Sequence, residues 1–110
     1  MELINDLEQI KSEIDNNEFA MLYIQAPDCG LCSVMLEKIE ALTDFYRQLR
    51  TMRAEIHVVP QIASAFMVAT APTLLLFCKG REVYRAGTFI DTLEVENQLN
   101  KWSRWLSCLT

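Results

Sequence analysis

The chain is 110 residues long, 51% hydrophobic and 23% charged, with a formal net charge of −5. That length suits one domain, residues 1–110, whose core needs no disulfide staples, and the apolar share argues against disorder. The negative charge makes nucleic acid a poor partner. No apolar stretch approaches the roughly 18 residues of a membrane span, and the acidic start Met1-Glu2-Leu3-Ile4-Asn5-Asp6 does not read as a signal peptide. A cytoplasmic location is therefore expected, where structural disulfides are rare. Residues 1–46 carry ten acids against Lys11 and Lys38, and the remainder carries eight bases against five acids. Two readings of that asymmetry stay open: solvated faces on two helices, or a face that selects basic partners.

Leu3, Leu7, Ile10 and Ile14 recur at helical spacing and predict a first helix, ended by Asn16-Asn17. Residues 19–26 form a near-continuous apolar run, as expected of a strand covered on both faces, and Pro27-Asp28 closes it. Met35, Ile39, Leu42, Tyr46 and Leu49 then predict a long second helix. Glu55-Ile56-His57-Val58-Val59 reads as a strand stopped by Pro60, followed by a short helix over 61–67. Thr73 to Cys78 reads as another buried strand. Lys79-Gly80 supplies a turn, Glu82 to Ala86 returns as the second strand of a hairpin, and Gly87 breaks it. The last helix has an N-cap in Asp91, a capping-box partner in Glu94 and a hydrophobic staple in Ile90 and Val95. Val95, Leu99, Trp102, Leu106 and Leu109 are its predicted core face, and Trp102 and Trp105 are read as packing residues. This element order implies an α/β domain, a mixed sheet of about four strands with helices on both faces.

The chemistry-bearing motif is Cys29-Gly30-Leu31-Cys32, placed between a predicted strand and a predicted helix. At a helix N-terminus the unpaired N–H groups and the macrodipole favour a thiolate. A thiolate beside a second thiol can exchange with a disulfide. A zinc site is the metal alternative, but it needs about four ligands and only Cys78, Cys108 and His57 remain, scattered along the chain. A pair of thiols that only caps a helix is the structural alternative. Asp28 is expected to oppose the thiolate if it is partly buried, or to cap the helix. Cys78 reads as a small buried hydrophobe, Cys108 as a reachable thiol and His57 as a satisfied strand histidine.

With these elements in order, the chain resembles the thioredoxin superfamily. The match is carried by Ala26-Pro27-Asp28 before Cys29-Gly30-Leu31-Cys32, by Ala71-Pro72-Thr73-Leu74-Leu75-Leu76-Phe77, by the turn at Lys79-Gly80, and by Gly87 before the last helix. The resemblance implies a thioredoxin fold and thiol–disulfide oxidoreductase activity. It makes Cys29 the exposed, attacking cysteine and Cys32 the resolving one. It makes Pro72 cis, with the Ala71 backbone pairing to an extended substrate segment. Asp28, Gly30 and Leu31 would contact or shape the approach of substrate. The implied partners are disulfide-containing proteins or low-molecular-weight thiols, together with an unidentified reductase; no metal, flavin or nucleotide cofactor is implied.

The departures from the family pattern are specific. Asp28 stands where thioredoxins usually carry Trp, and Leu31 where they carry Pro. Tyr23 stands where they bury an Asp, so Glu55, His57 or water is left to deprotonate Cys32. The family's extra N-terminal strand has no evident counterpart. Those losses support a second reading, a non-catalytic binding or scaffold module on the same fold.

Overall fold

The computed structural model describes residues 1–108. Its elements run β1 (Glu2–Leu3), α1 (Leu7–Asn16), β2 (Phe19–Gln25), α2 (Gly30–Thr43), β3 (Arg50–Glu55), α3 (Gln61–Ala65), β4 (Thr73–Cys78), β5 (Arg81–Gly87) and α4 (Thr92–Ser107). The sheet has five strands in the order β1-β3-β2-β4-β5. β3 is parallel to both β1 and β2, whereas β4 is antiparallel to β2 and to β5.

Alternation along the central strands sorts the core into two layers. Ala20, Leu22, Ile24, Leu75 and Phe77 face one cluster with Ile10 and Ile14 of α1 and Ile62 of α3. Phe19, Met21, Tyr23, Leu74 and Leu76 face the other, with Met35 and Ile39 of α2 and Val95, Leu99 and Leu106 of α4. Both faces of β2 and β4 are thus covered, which is why each strand is a nearly unbroken apolar run.

Several expectations are corrected. Leu3 is not helical: it lies in β1, is 41% exposed, and pairs with Arg53 of β3. That strand is the fifth, and two residues are too few to carry a periodic signal. α1 begins instead at Leu7, with Asp6 Oδ1 accepting from the Glu8 N–H at 3.2 Å. α2 ends at Thr43, before Tyr46 and Leu49; a chain of turns follows, and Leu49 stays buried without being helical. The apolar spacing therefore continues past the end of the helix.

The third strand is also displaced. It is Arg50–Glu55, not 55–59. Its charge hides it in the sequence, yet only Met52 and Ala54 are buried, while Arg50 pairs with Glu2 and Glu13 and Arg53 Nε donates to the Met1 carbonyl. Ile56 to Val59 instead form a turn in which the Val58 and Val59 N–H groups both donate to the Glu55 carbonyl. His57 is exposed in that turn rather than satisfied on a strand. α3 stops at Ala65, and β5 extends from Arg81 through Gly87, so Gly87 ends the strand from within.

α4 starts as read from the sequence, with Asp91 Oδ1 accepting from the Leu93 and Glu94 N–H groups. Glu94 does not close a capping box; its carboxylate accepts from Gln98 Nε2 at 3.0 Å. Ile90 and Val95 are both buried in the same cluster. Trp102 packs against that core and Trp105 is 43% exposed, in edge contact with it. Leu109 lies outside the described residues.

Candidate active site

β2 delivers the chain to the cysteine pair. After Gln25 the backbone leaves the sheet and reverses through Asp28, whose φ of 54° is left-handed. Asp is among the few non-glycine residues that take this conformation readily. Asp28 is exposed and does not cap the helix. The cap is Cys29: in extended conformation, its Sγ accepts from the Cys32 N–H at 3.1 Å. The Cys29 sulfur is thus joined to the positive end of α2, where a thiolate gains most from the helix dipole.

Cys29 and Cys32 form a disulfide with Cα atoms 5.3 Å apart. Cys32 is buried at 4% exposure, whereas Cys29 is only half-buried, so Cys29 is the more accessible of the two residues. Gln25, Ala26, Asp28, Cys29, Gly30, Cys32 and Ser33 line an open groove around the pair. A Cβ built at Gly30 would meet nothing within 4 Å, so this stretch of backbone is open to an approaching chain. Leu31 is half-buried against the α2–α4 core rather than standing free as a contact surface.

Ala71 and Pro72 do not line that groove, but they reach the same end of the sheet. Thr73, the next residue, pairs with Ile24 of β2, one residue before Gln25. The Ala71–Pro72 peptide is cis. Pro72 is buried and its carbonyl accepts from the Thr88 N–H at 2.7 Å; Thr73 Oγ1 donates to the Thr70 carbonyl at 2.6 Å. Sequence reading missed Thr70 and Thr88, because Thr88 reaches Pro72 and Thr70 only once β4 and β5 are paired, and Thr70 carries no motif of its own. It also missed Gln25, Ala26 and Ser33, whose only signal was adjacency to the motif.

Beneath the pair, Tyr23 is fully buried and its hydroxyl donates to the Cys32 carbonyl at 2.7 Å. Burial pushes its phenol up to about 12. It is therefore a donor that holds the first turn of α2, not a base. The other groups considered for that task point elsewhere: the Glu55 carboxylate accepts from Asn5 Nδ2 at 3.1 Å, and His57 is exposed after β3. Cys78 is a buried free thiol on the opposite end of β4, pushed up to about 11 by burial, and Cys108 is an exposed one. No cluster of three or more His, Cys, Asp or Glu side chains suited to a metal ion occurs among the described residues, and no helix among them is long and apolar enough to cross a membrane.

A family model described as Thioredoxin matches residues 3–101. The chain belongs to the thioredoxin family. Among curated relatives, it is 28% identical over 98 residues to the thioredoxin-like protein YdfQ of Bacillus subtilis, covering 89% of this chain and 88% of the relative. It is 27% identical over 94 residues to the thioredoxin of Porphyra purpurea, covering 84% and 88% of the two chains. Among solved structures, the oxidised form of mitochondrial thioredoxin 3 from Saccharomyces cerevisiae superposes with a TM-score of 0.81 at 20% identity, over 92% of this chain and 94% of that one. Plasmodium falciparum thioredoxin superposes with a TM-score of 0.83 at 16% identity, over 93% and 99%. The fold is accordingly the α/β thioredoxin fold, with five strands in its mixed sheet. Family membership and the Cys29–Cys32 pair together support a thiol–disulfide oxidoreductase.

Proposed function

We propose that this thioredoxin-family chain acts as a single domain, residues 1–110, that reduces disulfides in proteins or low-molecular-weight thiol compounds by dithiol–disulfide exchange. The observation that carries the reading is the difference between the two cysteines: Cys29 is half-buried and its Sγ caps α2, while Cys32 is buried one turn behind it. In the reduced protein, the Cys29 thiolate attacks one sulfur of the substrate disulfide. That S–S bond breaks, a mixed disulfide forms, and the first substrate sulfur leaves as a thiolate that takes a proton from water. The Cys32 thiolate then attacks Cys29 Sγ and displaces the second substrate sulfur. Two electrons have moved to the substrate, and the Cys29–Cys32 disulfide remains.

The Ala71 backbone, held next to Pro72, pairs with an extended segment of a protein substrate, while open space at Gly30 and the exposed Asp28 side chain admit it. Leu31 acts from behind by packing the first turn of α2. With Tyr23 acting only as a donor, water deprotonates Cys32. Return to the dithiol uses an external reductase or a low-molecular-weight thiol, and a reducing cytoplasm suits the net direction. The test is dithiothreitol-driven reduction of a protein disulfide, comparing the protein with Cys29→Ser. Catalysis that vanishes in the variant supports the enzyme. Equal rates would support the non-catalytic scaffold. Cys32→Ser, lacking the resolving thiol, should accumulate mixed disulfides on Cys29.

A further inference from the structure

The chain that enters the Ala71–Pro72 turn leaves α3 through Phe66 and Met67. Met67 has a φ of 54°, the left-handed region that a flexible, β-unbranched but non-glycine side chain still disfavours. Such a conformation persists when its surroundings over-determine it. From Met67 to Ala71 only Val68 is buried in the core. One external side chain grips the start of this segment. Arg85 of β5 donates from Nη1 to the Met67 carbonyl at 2.7 Å and from Nη2 to the Phe66 carbonyl at 2.5 Å. The same guanidinium is braced by Glu82, Nε to Oε2 at 2.9 Å and Nη2 to Oε1 at 2.8 Å. Both carbonyls follow directly on the end of α3, and a planar fork suits two acceptors as a lysine would not. At the far end of the segment, Thr73 Oγ1 and Thr88 Oγ1 hold Thr70. The turn is therefore fastened at both ends by residues of β4, β5 and the chain just after β5.

We propose that Arg85, braced by Glu82, is a positioning residue for protein substrates: it pins the Phe66 and Met67 carbonyls and so fixes the backbone that leads to Ala71. The inference rests on the reading that Ala71 pairs with an extended substrate segment. It separates two kinds of substrate. A polypeptide that adds to the Ala71 backbone needs the segment in register, whereas a small disulfide that meets only Cys29 does not.

The test uses the full chain with Arg85→Met, Arg85→Lys, Met67→Gly and the double variant Arg85→Met/Met67→Gly. The protein probe is insulin with dithiothreitol as reductant, read as KM and kcat. The small probe is 2-hydroxyethyl disulfide, reduced in a single turnover by pre-reduced protein. Circular dichroism and thermal unfolding establish that each variant is folded. Arg85→Met should raise KM for insulin about fivefold, the worth of about one net hydrogen bond, with kcat and the small-disulfide rate within twofold. Arg85→Lys should restore little of it, because one ammonium cannot span both carbonyls and the Glu82 carboxylate. Met67→Gly in the double variant should bring KM back toward the wild-type value, because glycine takes a left-handed φ without a side-chain penalty. An unchanged KM, or equal losses on both probes, would overturn the role of Arg85 while leaving the dithiol chemistry standing. A wild-type protein no faster than Cys29→Ser on either probe would instead overturn the oxidoreductase reading, and the positioning role with it.

Discussion

Replacing Tyr23 with Phe tests the claim that this buried phenol is a structural donor beneath the cysteine pair. The ring is fully buried among Phe19, Met21 and the α2–α4 core, and Phe keeps that packing, so no cavity is created. What is lost is one hydrogen bond, from Tyr23 Oη to the Cys32 carbonyl at 2.7 Å. Cys32 lies in the first turn of α2, where its carbonyl keeps its place in the helical ladder, so the acceptor is not stranded. The net loss should be about 1 kcal/mol, against about 3–5 kcal/mol had the whole ring been removed. For a domain of this size that lowers Tm by about 4 °C. Urea unfolding of the oxidised protein at pH 7 measures it directly. A second consequence concerns alkali. An unfolded tyrosine titrates near 10, and in the folded chain burial holds Tyr23 up to about 12. The folded state keeps its proton where the unfolded chain has lost it, so this contribution is present below pH 10 and is lost as pH rises through 12. Integrated over that window it is on the order of 3 kcal/mol. Tyr23→Phe lacks that limb, so its stability should fall less steeply than the wild type's above pH 10. Equal alkaline slopes, or a loss at pH 7 above about 3 kcal/mol, would refute the donor assignment.

Three further outcomes follow from individual side chains. In the reduced native protein at pH 8, iodoacetamide should label exposed Cys108 and spare Cys78, whose thiol is buried and held up to about 11; mass spectrometry of tryptic peptides would reveal comparable labelling if that burial is wrong. Lys79 opens the β4–β5 turn at a φ of 51°, ahead of Gly80 at 79°, a geometry that favours Asn-Gly. Lys79→Asn should therefore raise the unfolding free energy by about 0.5–1 kcal/mol, and a loss in urea titration would contradict the turn assignment. Asp28 is exposed, so water screens its carboxylate from Cys29. Asp28→Asn, which keeps the left-handed turn, should accelerate alkylation of the reduced Cys29 by less than about threefold at low salt, and a tenfold change would mean the carboxylate is desolvated near the sulfur.

Legibility in the sequence tracked how local each cause was. β2 and β4 could be read because helices cover both of their faces, which demands apolar residues at every position. α4 could be read from Asp91, whose side chain caps N–H groups two and three residues away. β3 could not, because Arg50 and Arg53 are tolerated through partners far away in the chain, at Glu2, Glu13 and Met1. The run Ile56 to Val59 has the composition of a strand, yet only Ile56 still reaches β2, and the Val58 and Val59 N–H groups turn back to the Glu55 carbonyl. At the site, Cys29 and Cys32 were legible by spacing, but the capping of Cys32 N–H by Cys29 Sγ was not. Tyr23 reads in sequence only as a missing carboxylate. Its donor role depends on the packing of β2 under α2.

The amino-acid sequence by itself determined the two covered strands and the Cys29–Cys32 pair at the head of a helix, since spacing, apolar runs and capping residues act within a few positions, whereas the Ala71–Pro72 turn was expected from the family resemblance. The resemblance already implied that Cys29 is the more exposed cysteine; only the tertiary structure decided what Tyr23 does beneath the pair, and how Arg85 and Thr88 fasten the turn at the same end of the sheet. Those depend on contacts between residues far apart in the chain, and burial and hydrogen-bond geometry exist only once the strands are ordered side by side.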